Sequence, residues 1–276
     1  MARNSKIEWT HNTFNPWWGC SKVSPACKNC YAETWAKRVG NNIWGKENPR
    51  RFFTDKHWKE PLKWQREAEN NSERTRVFCA SMADVFERRA ELNEHRNRLW
   101  ELVYRTPSLD WLILTKRPQN IEGMVPWDNN NWPNNVWIGT TVENQKWADF
   151  RLPILLNLNA KVRFLSCEPL LGEIDITSYN AASDTNKIDW IIAGGESGPH
   201  SRPMNPNWVR SLRDQCINEE IAFHFKQWGH WSPHSLLTST QKKTITIEDT
   251  EMTATGKKAS GRTLDGRIWD ELPSSA

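Results

Sequence analysis

Short apolar runs recur along the chain and alternate with longer amphipathic stretches. The runs are RVFCAS (76–81), DWLILT (110–115), VWIGTT (136–141), VRFLS (162–166), DWIIAG (189–194) and AFHFK (222–226). Each is short, rich in β-branched or aromatic residues, and apolar on both faces, the pattern of a strand buried inside a parallel sheet. Two of the stretches between them read as helices. RRAELNEHRNRLWELVYRT, from Arg88, places Leu92, Leu99, Leu102 and Val103 near one face. NPNWVRSLRDQCINEE, from Asn205, spaces Trp208, Leu212 and Cys216 by four and opens with an Asn cap and a Pro at the first helical position. Successive runs begin about 25 to 35 residues apart, the length of a βα unit. With one more strand feeding the segment before Cys20, the pattern predicts an α/β fold, a full or partial (β/α) barrel of about six to seven parallel strands. A doubly wound open sheet is the alternative, because spacing alone does not fix strand order.

The barrel is expected over residues 1–231, with an insertion at about 40–75 rich in Asn, Trp, Lys and Arg. Residues 232–276 read as a polar C-terminal extension, with one exposed strand near Thr244–Glu248 and the ending GRTLDGRIWDELP ordered by its Leu and Trp. The balance of 37% hydrophobic and 25% charged residues is that of a folded globular chain. No apolar run reaches 18 residues, so no membrane span is expected. MARNSKIEWT has no apolar core of a secretory signal, which predicts a cytoplasmic protein. A net charge of +4 is compatible with an anionic partner. The 18 Trp against 3 Tyr are read mainly as core, with stacking on bases or flat ligands as a second use.

Polar residues collect where the apolar runs end, which in a parallel barrel is the functional side. In chain order these ends supply Ser81 and Asp84, Lys116 and Arg117, Thr141, Glu143 and Asn144, Ser166 and Glu168, Gly194 to Ser197, then Lys226 and Gln227. A single charged residue after a strand is ordinarily its first solvated position. Six consecutive ends carrying charges and amides predict a common mouth for amino groups, ribose hydroxyls or a base edge. Gly194 and Gly195 are expected to let a ligand approach the backbone.

WWGCSKVSPACKNCYAE, 17–33, holds three of the six cysteines in the spacing C-x6-C-x2-C. Three readings follow. Structural zinc uses Cys20, Cys27 and Cys30 with a distant fourth ligand, His11, His57 or Cys79, although no second paired knuckle occurs. Without metal, the cysteines are small buried hydrophobes. The third reading is a [4Fe–4S] cluster on three thiolates, leaving one iron open to a small molecule.

Together with the motifs SMADVF, LTKRP, TVENQ, SCEPLLG, GGESG followed by RP, and FKQWG, this segment resembles the radical SAM superfamily. It is most similar to an uncharacterised phage and bacterial family with a radical-SAM-like three-cysteine motif. The similarity spans roughly residues 6–231 and the ending GRTLDGRIWDELP. Two features depart from the superfamily pattern. Its usual triplet is C-x3-C-x2-C with an aromatic before the last cysteine, whereas here the first gap is six, Asn29 precedes Cys30 and Tyr31 follows it. Its glycine-glycine-glutamate motif usually follows the second strand, whereas Gly194-Gly195-Glu196 follows the sixth, counting the cysteine loop's own strand as the first.

The resemblance implies that Cys20, Cys27 and Cys30 hold a [4Fe–4S] cluster whose open iron takes S-adenosylmethionine, and that an external electron donor supplies the reducing electron. It implies cofactor contacts from Tyr31, Ser81, Asp84, Lys116, Thr141 and Glu143, with Ser81 and Asp84 toward the methionine amino group. Glu168, Glu196, Lys226 and Gln227 face the substrate, Glu196 and Lys226 being the catalytic candidates. A 5′-deoxyadenosyl radical then abstracts hydrogen, and rearrangement or bond cleavage follows, an isomerase or lyase type of outcome. The expected substrate is a nucleobase, a nucleotide, or DNA with a damaged or hypermodified base. The alternative from another class is a zinc-stabilised nucleic-acid-binding protein without catalysis.

Overall fold

The structure is a computed structural model that describes residues 3–180, 187–198, 200–233 and 243–274. Seven strands form one sheet in sequential order: β1 (Asn12–Thr13), β2 (Thr75–Cys79), β3 (Leu109–Thr115), β4 (Val136–Thr141), β5 (Val162–Cys167), β6 (Trp190–Gly194) and β7 (Ala222–Gln227). The pairs β1–β2, β2–β3, β3–β4, β5–β6 and β6–β7 are parallel. A doubly wound sheet reverses direction at a switch point. This order never reverses, and is that of a partial (β/α) barrel. All six apolar runs are strands within two residues of their expected bounds.

Helices fill most crossovers: α1 (Tyr31–Arg38), α2 (Asp55–Trp58) and α3 (Glu60–Asn71) before β2, α4 (Asn93–Tyr104) before β3, α5 (Gln145–Leu156) before β5, α6 (Thr177–Asn180) before β6 and α7 (Pro206–Asn218) before β7. The helix expected from Arg88 starts later, at Asn93. Arg89 is extended, and Arg96 reaches back to the carbonyls of Val85 and Glu87, which holds residues 85–92 in a turn and a short 3-10 stretch. Leu92, Leu99, Leu102 and Val103 are buried as the pattern required. In α7, Asn205 caps the helix by accepting from the Asn207 amide (2.8 Å), and Pro206 takes the first helical position. Its buried face is Val209, Leu212 and Cys216, with Trp208 at the margin, bonded to Glu248.

The chain packs as two compact units. The first comprises Met1–Ser24, Ala32–Thr140 and Asn157–Arg163; the second comprises Pro25–Tyr31, Thr141–Leu156 and Phe164–Ala276. In the first unit the parallel register sets Cys79 beside Ile113 and Thr115 beside Thr140, so the segments after β2 and β3 leave the sheet on one edge. The connection from β3 to β4 is irregular after a 3-10 turn at Pro118–Asn120. Tryptophan packing covers it: Trp127 meets Trp100 at 5.1 Å, Trp132 at 5.4 Å and Tyr104 at 6.0 Å. Most of the 18 tryptophans are buried, so the core reading holds for them; Trp35 is the exposed exception.

In the second unit, β8 (Trp231–Pro233), β9 (Thr244–Ile247) and β10 (Thr250–Ala254) form an antiparallel sheet in the order β8-β10-β9. β9 is the exposed strand expected from its sequence. The ending forms a two-stranded ladder, β11 (Thr263–Leu264) with β12 (Arg267–Ile268), and buries Leu264 and Trp269, the latter 5.9 Å from Phe223. Among the described residues no helix is long and apolar enough to cross a membrane.

Candidate functional site

Because β2 and β3 end on one edge, SMADVF and TKRP meet. Asn15 shapes the first of these turns: its Oδ1 accepts the Met82 amide (2.7 Å) and its Nδ2 donates to Ser81 Oγ (3.0 Å). Asp84 then receives four donors, the Phe86 amide (3.0 Å), Thr115 Oγ1 (2.7 Å), the Lys116 amide (3.0 Å) and Arg117 Nη1 (2.8 Å). Burial by itself would raise this carboxyl, but Arg117, the Thr115 hydroxyl and the two amides hold it below the usual carboxylate range. Ser81 and Asp84, expected at a methionine amino group, are thus bonded to protein.

Arg117 continues the network toward the first cysteine. Its Nη2 donates to Ser21 O and Oγ, both at 2.9 Å, and its Nη1 lies 3.7 Å from Cys20 Sγ. Ser21 Oγ donates to Glu87 Oε1 (2.6 Å), and Glu87 accepts two bonds from the buried Arg50 (2.9 and 2.8 Å). Burial pushes the Cys20 thiol up to about 12, with Arg117 opposing and Asp84 and Glu87 adding. Gly19, at φ +112°, lets the chain pass here: a Cβ would fall 2.4 Å from Ile43 O.

In the second unit the loop bearing Cys27 and Cys30 is held by strand-end carboxylates. Glu143 Oε1 accepts the Ala26 amide (3.3 Å), and its Oε2 pairs with Arg151 (2.9 Å), both side chains being fully buried. Arg151 also donates to Thr141 O (2.7 Å) and lies over the Trp147 ring at 4.0 Å. Glu196 Oε2 accepts from Asn29 Nδ2 (2.9 Å), from the Arg202 amide (2.8 Å) and from Arg202 Nε (3.0 Å), while Arg202 Nη2 donates to Pro25 O (3.0 Å). Burial opposes, but Arg202 and Asn29 prevail and hold the Glu196 carboxyl down. Lys226 pairs with Glu168 (2.7 Å), and Gln227 Nε2 donates to Ser197 Oγ (3.0 Å) and, at 3.4 Å, to Glu168. Tyr31 is 57% exposed. A Cβ on Gly195 would fall 1.9 Å from Trp228 O, so this glycine admits the molecule's own backbone rather than the ligand expected there.

The six cysteines divide in two. Cys79, Cys167 and Cys216 are fully buried, and desolvation drives their thiols upward. Cys20, Cys27 and Cys30 are partly exposed and in no disulfide. Among the described residues no three His, Cys, Asp or Glu side chains are arranged for one metal ion. The distant fourth ligands of the zinc reading are engaged elsewhere: His11 Nδ1 accepts the Arg76 amide, His57 Nε2 bonds Asn15 O, and Cys79 is core. A four-iron cluster asks for less, since each thiolate takes a different iron. Thiols that are in no disulfide and outside the core are the donor type such a cluster takes.

Over residues 4–273 the sequence matches the family described as a protein of unknown function, DUF5131. The chain belongs to that family. No curated protein matches it. Among solved structures it is similar to a spore photoproduct lyase mutant with bound AdoMet and dinucleoside spore photoproduct, at 12% identity and TM-score 0.48, covering 89% of this chain and 68% of that one. Two further mutants of that lyase give 12% identity and TM-score 0.47 over 92% and 72%, and 10% identity and TM-score 0.44 over 86% and 66%. In this DUF5131 chain, sequence reasoning passed over Asn29, Arg50, Glu87, Arg151 and Arg202 as site residues. Glu87 and Arg202 stood inside or just after quoted motifs; nothing local marked Arg50 or Arg151, whose partners are 37 and eight residues away.

Proposed function

We propose that this chain is a radical SAM enzyme, with Cys20, Cys27 and Cys30 holding a [4Fe–4S] cluster and S-adenosylmethionine as cosubstrate. The observation that carries the reading is the division of the cysteines: three are sealed in the core, and three, in no disulfide and partly exposed, lie within eleven residues of chain. Held by these cysteines and given an electron by an external donor, such a cluster with S-adenosylmethionine would supply hydrogen-abstracting chemistry through a 5′-deoxyadenosyl radical.

The protein's part is positioning and charge. Arg117 offers positive charge beside Cys20, and Asp84 and Thr115 orient Arg117. Glu143 and Glu196 act as positioning residues: through the Ala26 amide and Asn29 they fix the backbone on either side of Cys27. Thr141 and Arg151 hold Glu143. Lys116 and Ser81 flank this support, and the exposed Tyr31 ring offers a stacking face to adenine or to a base. Lys226, paired with Glu168 and flanked by Gln227, offers a donor to a carbonyl or anionic oxygen of the substrate. The substrate class we favour is a nucleobase, nucleotide or modified base in DNA, undergoing rearrangement or bond cleavage.

Anaerobic reconstitution with iron and sulfide, followed by dithionite and S-adenosylmethionine, tests the reading. The expected result is charge-transfer absorbance of a cluster and release of 5′-deoxyadenosine, both lost in Cys27→Ala. A protein that takes up one zinc and no iron under these conditions overturns it.

A further inference from the structure

We propose that a basic cleft in the first unit binds the sugar–phosphate backbone of a nucleic-acid strand. The cleft has a volume of about 670 Å³ and is lined by five cationic side chains, Lys22, Lys46, Arg88, Arg89 and Arg117, against one acidic residue, Glu87. Glu87 adds little negative potential, because the buried Arg50 neutralises it through two bonds. Three of the cations are partly committed: Arg117 to Asp84, Lys22 to Glu33 (2.9 Å), and Arg89 to Glu91. Arg89 also donates to the carbonyls of Lys46 and Asn48, which fixes the wall on which Lys46 stands.

Arg88 and Lys46 carry the uncompensated charge. Both are exposed. Arg88 donates to the neutral Asn120 Oδ1 (2.9 Å), and the bond formed at Lys46 is through its backbone oxygen. A single phosphate is satisfied by one or two such donors. Several cations spread around a cleft of this size match a ligand that repeats its negative charge, as a phosphodiester chain does. The floor adds position: Arg117, which lines the cleft, also reaches Ser21 and stands 3.7 Å from Cys20 Sγ. A strand lying in the cleft therefore runs beside the first cysteine of the triplet. That link narrows the substrate to a polynucleotide and rests on the radical SAM reading; the binding itself does not.

The test is fluorescence anisotropy of a labelled single-stranded DNA oligonucleotide with cluster-free protein, titrated between about 50 and 200 mM salt. The Lys46→Gln/Arg88→Gln double variant removes the two uncompensated charges without breaking an ion pair, and a thermal melt confirms that it folds. Each lost phosphate contact lowers the salt slope by about 0.7 to 0.9, so the double variant should lose about 1.4 to 1.8 and bind roughly tenfold or more weakly at low salt. A Lys59→Gln control, outside the cleft, should change neither. Equal affinity and slope in the double variant overturn the proposal. So does competition by adenosine monophosphate at the concentration where unlabelled oligonucleotide competes, which would make this a mononucleotide site. A strand that binds here to protein that never forms a cluster leaves the inference standing and removes the enzymatic one; a cluster that forms on protein with no strand affinity does the reverse.

Discussion

The two supports of the cysteine segment are built from the same pair of groups and behave differently. Around Cys20, Asp84, Arg117, Glu87 and Arg50 interlock so that each charge has several partners, and all four are buried. Around Cys27 and Cys30, two pairs work separately: Glu143–Arg151, fully buried, and Glu196–Arg202, with the arginine side chain 29% exposed. A closed network has no cheap alternative arrangement, because any shift strands a charge in low dielectric. A pair at the solvent boundary can trade partners for water. The first support therefore fixes one cysteine rigidly, whereas the second holds the C-x2-C turn with one rigid and one adjustable contact.

The sharpest way to break that contrast is to remove one charge from each buried arrangement. Arg117→Met and Glu143→Gln should each cost about 3–5 kcal/mol, since each leaves an opposite charge buried and unpaired. Urea midpoints measure this, and a loss below about 1 kcal/mol in either would mean that water reaches the pair. Arg202→Ala should cost stability only about 1 kcal/mol or less, because its guanidinium already sees solvent. It should nevertheless reduce iron uptake on reconstitution, since Glu196 and Pro25 O both lose the Arg202 guanidinium. Unchanged iron content would remove Glu196 from the support of the loop.

The smallest effect concerns the first support alone. His57 bonds Asn15 O and stacks on Phe53 at 4.2 Å, and burial lowers its pKa to about 4. A histidine whose folded pKa lies below its unfolded value of about 6.5 contributes stability that is full above pH 6.5 and is lost as pH falls toward 4. The His57→Phe variant should therefore show a flatter stability profile between those values, and a His57 proton resonance titrating near pH 6.5 would contradict the burial.

Much of the fold was legible in the chain, because a strand sealed on both faces must be apolar along its whole length. The runs at 136–141 and 162–166 show this: their strands, Val136–Thr141 and Val162–Cys167, are buried at every position. The irregular β3–β4 connection was less legible, since tryptophan contacts rather than any local period stabilise it. At the candidate site, the cysteine spacing and the polar strand ends were visible, but their partners were not. Glu143 and Glu196 were expected to contact ligands, and their bonds to Arg151 and Arg202 were not foreseen, because a carboxylate after a strand carries no mark of what else it will bond.

The sequence by itself determined which residues form strands, where polar groups leave the sheet, and that three cysteines lie within eleven residues of chain. These follow from burial and connectivity, which are properties of the chain read locally. Only the tertiary structure decided which carboxylate met which guanidinium, that Gly195 makes room for Trp228 rather than a ligand, and that Lys46, Arg88 and Arg117 share one cleft. Those outcomes depend on the parallel register, which brings residues tens of positions apart within a hydrogen bond of one another, and no local pattern records it.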